Sequence, residues 1–262
     1  MSFNIGWKDI LDGVCKWRIW YILGSGDIRR RYARTQLGQF WISLSVAISA
    51  LIIGLVWTIL WKANVSEFLP YIVVSLILWG FLSSCIIEAT DTFISNKHFM
   101  LGQKLEPSVI ISALIVRNLI FLLHNMVVIA LVFAIFQISI SWKILLFIPA
   151  LFIMSLLMYF ISFFLAIICV RFTDVKHLIN SSIQLLFYIT PVIWQPHFLS
   201  EKYQDYLLLN PLYWFMSILR DPLIGSEINI FPWLLTLGTL VLAIVAIPIF
   251  VGKYVRRLIF WI

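Results

Sequence analysis

Six long stretches of the chain run almost without charge: Phe40–Trp61, Phe68–Ile87, Val109–Phe136, Ile144–Val170, Leu178–Trp194 and Ile230–Gly252. A helix that crosses hydrocarbon needs about 20 apolar residues, because each residue advances about 1.5 Å through a core of about 30 Å. The runs are continuous rather than alternating, and lipid offers no partner to a bare peptide group, so helices are predicted rather than barrel strands. A seventh apolar stretch, Tyr206–Leu219, is interrupted by Asn210-Pro211 and is too short to cross. It is predicted to be a helical hairpin that re-enters the outer leaflet before the last span. The expected fold is all-α integral membrane. Residues 1–39 form an amphipathic interface segment, and 40–262 form a single transmembrane domain of six helices.

The first 39 residues follow a different pattern. Trp7, Ile10, Leu11, Val14, Trp17 and Tyr21 recur at helical spacing, with Lys8, Asp9, Asp12 and Lys16 elsewhere on the wheel. This predicts a helix lying in a membrane interface. Gly24-Ser25-Gly26 is expected to end that helix, and Asp27 to cap the basic stretch that follows. No short apolar core before a small-residue cleavage site marks a signal peptide.

Composition and charge give the spans a direction. Of 262 residues, 62% are hydrophobic and 12% charged, against roughly 25% charged in a soluble domain. So little charge cannot cover a water-facing surface. The net charge of +7 sits in short segments between the apolar runs, which is the pattern of orientation signals rather than of a nucleic-acid-binding face. With six spans, fifteen of the nineteen Lys and Arg fall on the side of the termini; only Lys62, Lys143, Lys202 and Arg220 fall opposite. The positive-inside rule then places both termini in the cytoplasm, and Trp61, Trp142 and Trp194 at the outer interface.

Candidate chemistry is sparse. The four histidines are scattered without an HExxH, no GxxxxGK[ST] phosphate loop occurs, and Cys15, Cys85 and Cys169 form no CxxC pair. A metal centre, a disulfide framework and ATP binding of that type are therefore not expected in this chain. The third span carries Arg117, Asn118, His124 and Asn125, with Arg117 two turns below His124. Such groups are functional candidates inside a membrane, yet they also bond neighbouring helices, and the spans as drawn hold no carboxylate for a proton relay. The 88–107 segment mixes Glu88, Asp91, Asn96, Lys97 and His98 with Phe93, Phe99 and Met100. A short helix with apolar knobs there suits docking to a soluble partner.

Three segments together resemble the permease subunits of ABC-2 type polysaccharide exporters, which move O-antigen, capsule or teichoic acid. They are Asp27-Ile-Arg-Arg-Arg-Tyr-Ala-Arg-Thr-Gln-Leu-Gly-Gln-Phe-Trp41; Val170-Arg-Phe-Thr-Asp-Val-Lys-His177 continuing to Phe187-Tyr-Ile-Thr-Pro-Val-Ile-Trp194; and Asn210-Pro-Leu-Tyr-Trp-Phe215 followed by Arg220. The resemblance implies a pair of such chains in a bacterial inner membrane, with no cofactor of their own. Two separate ATPase subunits would bind ATP and Mg and meet the N-terminal helix and the segment holding Glu88, Asp91, Asn96, Lys97 and His98. The cargo would be a glycan on undecaprenyl diphosphate, moved from cytoplasm to periplasm. Aromatic walls let a sugar chain slide over weak, repeated sites. Trp79, Tyr159 and Tyr188 within spans, and Tyr213 and Trp214 on the outer hairpin, are the candidates for that path. Arg29, Arg30, Arg31 and Arg34 suit the carrier's diphosphate, since guanidinium pairs bidentately with phosphate oxygens. Arg171 and Asp174 fit the family pattern, with a local ion pair as the plainer expectation. A membrane enzyme acting on a lipid-linked sugar remains an alternative through Glu201, Asp205, Asp221 or Glu227, as does an ABC-2 permease for a drug or another lipid.

Overall fold

The computed structural model describes residues 2–32, 40–103 and 105–262. Among the described residues there are helices and turns and no strand. In chain order the helices are α1 (Ser2–Cys15), α2 (Trp17–Tyr32), α3 (Phe40–Trp61), α4 (Val65–Ala89), the short α5 (Thr92–Ser95) and α6 (Lys97–Gly102), α7 (Pro107–Ile135), α8 (Phe147–Arg171), α9 (Thr173–Ile189), the short α10 (Glu201–Gln204), α11 (Pro211–Ile224) and α12 (Ile230–Tyr254). Three starts share one device, an Asn side chain that accepts the backbone N–H two residues on: Asn64 from Ser66, Asn210 from Leu212 and Asn229 from Phe231. Each satisfies one of the donors that a helix start leaves open. Gly225, with φ of 75°, closes α11 in the left-handed conformation that glycine adopts without a Cβ penalty.

Among the described residues, five helical segments are long and apolar enough to cross a membrane: Ser43–Trp61, Val65–Ala89, Pro107–Ile135, Trp142–Arg171 and Ile230–Tyr254. They match five of the six predicted spans. α4 is the hub. From Phe68 to Leu82 all but Leu76 and Gly80 are buried, and α3, α7, α8, α9 and α11 all pack against it.

The remaining expected span, Leu178–Trp194, is not of that kind. The helix there begins earlier, at Thr173, and gives way at Thr190 to a turn. α9 has 17 residues and buries only Ile183. Its two ends nevertheless reach the two ends of α4. Lys176 Nζ lies 2.9 Å from Asp91 Oδ1, just past the end of α4, and the Tyr71 hydroxyl, in α4's second turn, donates to the Pro191 carbonyl at 3.0 Å. α9 thus runs antiparallel to α4 over most of its length. The predicted re-entrant stretch appears as a 3-10 turn over Asp205–Leu209 followed by α11. α11 is largely buried against α4, α8 and α12.

The N-terminal segment departs most from expectation. The helix breaks at Lys16 rather than at Gly24-Ser25-Gly26, which lie inside α2, so Asp27 sits within a helix and caps nothing. The predicted apolar face is also split. Gly6, Ile10 and Gly13 form the buried edge, while Leu11, Val14, Trp17 and Tyr21 are exposed. α1 packs against α12 and α7, and α2 runs along α7. Close approach explains the glycines. A Cβ on Gly6 would fall on the Pro248 carbonyl, one on Gly13 on the Ser108 side chain, and one on Gly24 against the Ala113 carbonyl.

These contacts predict opposite effects at neighbouring glycines. Gly6→Val or Gly13→Val should destabilise the detergent-solubilised protein by about 1–3 kcal/mol through overpacking. Gly26→Ala, which meets nothing within 4 Å, should stabilise α2 by about 0.5–1 kcal/mol. Thermal unfolding of the three variants beside the parent chain measures both.

Candidate functional site

α9 carries the most distinctive surface. Asp174, His177, Ser181, Gln184 and Tyr188 follow one another at intervals of three and four, and all five are exposed. That spacing stacks them on one face of a helix. Exposed Leu178, Leu185 and Ile189 flank the row. Beneath it, Trp79 is buried with its ring centroid 5.7 Å from that of Phe187, and Phe187 lies 5.3 Å from Tyr188. Three aromatic rings therefore lead from the hub to the exposed face.

Two charged nodes fasten the ends of the bundle. At the end near the chain termini, Arg117 donates at 2.7 Å to Asp27 of α2 and at 2.7 Å to Glu88 of α4, and Asn118 donates to the same Glu88 oxygen at 2.9 Å. A carboxylate therefore stands beside Arg117, contrary to the expectation drawn from the spans: Glu88 lies in the last turn of α4, one residue beyond the run as drawn. At the opposite end, Arg220 is buried. It donates at 2.6 Å both to the Tyr71 hydroxyl and to the Pro191 carbonyl, contacts Asp221 at 3.3 Å, and lies 4.5 Å from the Tyr71 ring centroid. Asp221 also receives the Ser217 hydroxyl. Asp221, one of the acids considered for an enzyme, is thus occupied within this node.

The segment expected to meet an ATPase subunit folds as α5 and α6. Of its expected knobs, Phe93 and Met100 are buried, Phe93 against Phe163, and Phe99 is half-buried; Ile94 and Leu101 of the same segment are exposed. Asp91 is held by Lys176, whose ammonium keeps its carboxyl below the usual carboxylate range. Asn96 donates to the Thr92 carbonyl, while Lys97 and His98 remain exposed. Arg29 and Arg30 are exposed on α2, with Arg30 bonded to Asp27 at 2.5 Å. Arg31 is described in backbone only, and Arg34 lies outside the described residues. A cleft of about 480 Å³ opens beside Arg30, which lines it together with Asp27, Asn96, His98, Phe99 and Arg117.

The expected path residues do not share one surface. Tyr188 is exposed, Trp79 lies beneath it, and Tyr159 is buried elsewhere, edge-on to Phe160 and Phe163. Tyr213 and Trp214 are half-buried on α11, and the Trp214 indole donates to the Leu208 carbonyl at 2.8 Å. The expected Arg171–Asp174 ion pair does not form; Arg171 lies instead between the rings of Phe172 and Trp261. The polar row of α9 was missed, though its three-and-four spacing stands in the sequence.

The family follows from comparison with known proteins. The chain matches the ABC-2 type transporter family over residues 19–224, and it belongs to that family. It is a multi-pass membrane permease. It is 24% identical to an O-antigen export system permease protein RfbA of Klebsiella pneumoniae over 95% of this chain and 94% of that one. A second Klebsiella pneumoniae protein of the same description is 22% identical, over 87% and 86%. A Myxococcus xanthus O-antigen export permease is 23% identical, over 71% and 72%.

Two predictions come from this geometry. Arg220→Ala should cost about 3–5 kcal/mol, because it leaves Asp221 as an uncompensated buried charge. Arg220→Lys should recover only part of that, since an ammonium restores the charge but cannot reproduce the planar fork that donates to both the Tyr71 hydroxyl and the Pro191 carbonyl; chromatographic yield and unfolding temperature read both. The second concerns Asp9, on α1. Burial pushes its carboxyl up to about 6; Ser108 opposes this, while Glu106 and Asp12 add to it. A folded-state value above the ordinary one means that the docked helix binds the extra proton, so docking is firmest below the ordinary value of 3.8 and weakens as pH rises from there to about 6, above which it levels off. Amide exchange in α1 should therefore be slower at pH 5 than at pH 7.5 after correction for intrinsic rates. Asp9→Asn should flatten the difference.

Proposed function

We propose that this chain is the permease subunit of an ATP-driven exporter that moves a lipid-linked polysaccharide from the cytoplasm to the periplasm. The observation that carries the reading is the exposed polar row of α9, in a chain that belongs to the ABC-2 type transporter family. A row of Ser181, Gln184 and Tyr188 facing hydrocarbon would leave polar groups without partners, which is costly in lipid. A second copy presenting its own α9 across a shared axis removes that cost and encloses a passage with a polar lining. α9 is then a sixth crossing, shorter than the others because its lining face meets water and sugar. The O-antigen export permeases among its relatives favour a glycan as cargo.

In this reading the cation-rich end of the bundle faces the cytoplasm. The exposed Ile94, Lys97, His98 and Leu101 of α5 and α6, with the outer edge of α1, form the seat of a separate ATPase subunit. The carrier's diphosphate meets Arg29 and Arg30 at the mouth of the adjoining cleft, with Arg31 and Arg34 following in the chain. Tyr188 contacts the sliding glycan, and α11 with Tyr213 and Trp214 forms an outer gate. Trp79 and Tyr159 support the walls from within the subunit.

Single cysteines on α9 test the reading in cells that also make the ATPase subunit. Ser181→Cys and Gln184→Cys should react with a membrane-impermeant thiol reagent and crosslink between two copies. Bulky labelling should block export, as should loss of the phosphate-loop lysine in the ATPase subunit. Purified chain that moved glycan without a partner, or cysteines at 181 and 184 that stayed inert while Leu242→Cys on α12 reacted, would sink the proposal.

A further inference from the structure

At the end of the bundle near the chain termini, Arg171 stands outside everything assigned above. It closes α8, and its guanidinium carbon lies 5.2 Å from the Phe172 ring centroid and 5.1 Å from that of Trp261. Among the described residues no carboxylate pairs with it; Asp174, three residues on, is exposed and unbonded to it. Lys253 is exposed at the end of α12 and Arg257 in the turn that follows it, and the chain has no Asp or Glu after Glu227. This corner is therefore rich in cations, and its one neighbouring acid in sequence, Asp174, makes no ion pair with Arg171. Flanking Arg171 is a cavity of about 390 Å³ lined by Ile167, Ile168, Phe172, Phe250, Tyr254 and Trp261. Its aromatic wall is continuous: Phe164 to Phe250 at 4.9 Å, Phe250 to Tyr254 at 4.7 Å, Tyr254 to Trp261 at 5.9 Å. Along α12 the next exposed residues are apolar, namely Ile249, Val245, Leu242 and Val241.

We propose that this corner is a binding site for one anionic diacyl phospholipid, with the phosphate at Arg171 and an acyl chain along the aromatic wall of α12. The charge complementarity rests on Arg171: a cation at a membrane helix end that makes no ion pair, with Lys253 exposed next to the cavity-lining Tyr254, is completed by an anion. Cation–π contact with two rings holds the guanidinium in place without neutralising it. The apolar wall separates a lipid from a soluble phosphate, which would use Arg171 and leave the cavity unfilled. The Trp and Tyr at its rim match the amphipathic belt that membrane proteins present to headgroups. The site also gives the C-terminal turn over Val255–Phe260 a task, since Trp261, just beyond it, closes the cavity.

Native mass spectrometry of the full-length chain, delipidated in detergent, tests the site. The probes are phosphatidylglycerol, phosphatidylcholine with the same acyl chains, and soluble glycerol phosphate. Phosphatidylglycerol should be retained in preference to phosphatidylcholine. Arg171→Gln should weaken that retention about fivefold, the effect expected of one interfacial cation, while leaving phosphatidylcholine unchanged. Arg171→Lys should keep most of the preference, and Trp261→Leu should weaken both lipids. Should Arg171→Gln fail to fold, Lys253→Gln with Arg257→Gln should lower the phosphatidylglycerol preference in its place. Equal retention of the two lipids by the parent chain would overturn the proposal. So would displacement of the lipid by glycerol phosphate, which would mean a soluble-anion site. Unchanged lipid preference in Arg171→Gln combined with loss of ATPase-subunit co-purification would assign the corner to a protein partner and overturn it as well.

Discussion

Arg117 holds the bundle's charged end together. Its guanidinium divides between two carboxylates on different helices, Asp27 of α2 and Glu88 of α4, and Asn118 adds a further donor to Glu88. Taking one such ion out of water costs several kcal/mol, and removing a single partner strands the others. The fork therefore tolerates only an arrangement in which α2, α4 and α7 meet at one point. The N-terminal helices follow from that. Once α2 is tied along α7, α1 is brought across the start of α7, where the Ser108 hydroxyl donates to the Asp9 carbonyl and Lys16 pairs with Glu106. The glycines at 6, 13 and 24 let the backbones come close enough for those bonds. A segment that looks from its sequence like a floating anchor becomes a rigid part of the base, with Leu11, Val14 and Trp17 still turned outward.

The opposite end is built on the same rule with different parts. Arg220 reaches from α11 to the Tyr71 hydroxyl and the Pro191 carbonyl, so one cation joins α11, α4 and the turn after α9. α4 is locked at both ends by a charge. α9 has its polar ties at its tips, by Lys176 to Asp91 and through Pro191 to Tyr71, and between them it buries one side chain fully and sets Phe187 against Trp79. Most helices of this bundle gain their stability from lateral burial; α9 gains little within a single subunit. In the proposed exporter this is the helix placed to meet a second copy and the cargo, and its loose flank is what such a position requires.

Five spans were legible because apolar length is a strong signal that neighbouring structure rarely overrides. That the 88–107 segment holds short helical structure was legible too, although one helix was expected where two form and hydrophobicity did not tell which of its apolar residues face inward. Phe93 and Met100 serve the core, and Ile94 and Leu101 do not. Three features at the charged end of the bundle were misread for one physical cause. Gly24-Ser25-Gly26 looks like a stop signal locally, but here Gly24 is a contact with α7 and the helix continues. Asp27 looks like a cap, but its partner is ninety residues away. Glu88 looks like the first residue of a loop, because a carboxylate inside a span is improbable until an arginine on another helix is in view. Local rules price each residue alone, and these three are set by contacts between distant segments.

The same limit explains α9. Scored as a membrane span it falls short in length and hydropathy, and it joins none of the five segments that qualify. That shortfall is informative. A helix whose ends reach both ends of α4 cannot be lipid-facing all round and also carry Asp174, His177, Ser181, Gln184 and Tyr188 in one row. Hydropathy measures fitness for lipid, so a helix that lines a wet passage must score poorly in proportion to the face it gives to that passage. The weakest of the six apolar runs is thereby the one that argues most directly for what the proposed pair of chains encloses. The five strong runs establish only that there is a membrane around it.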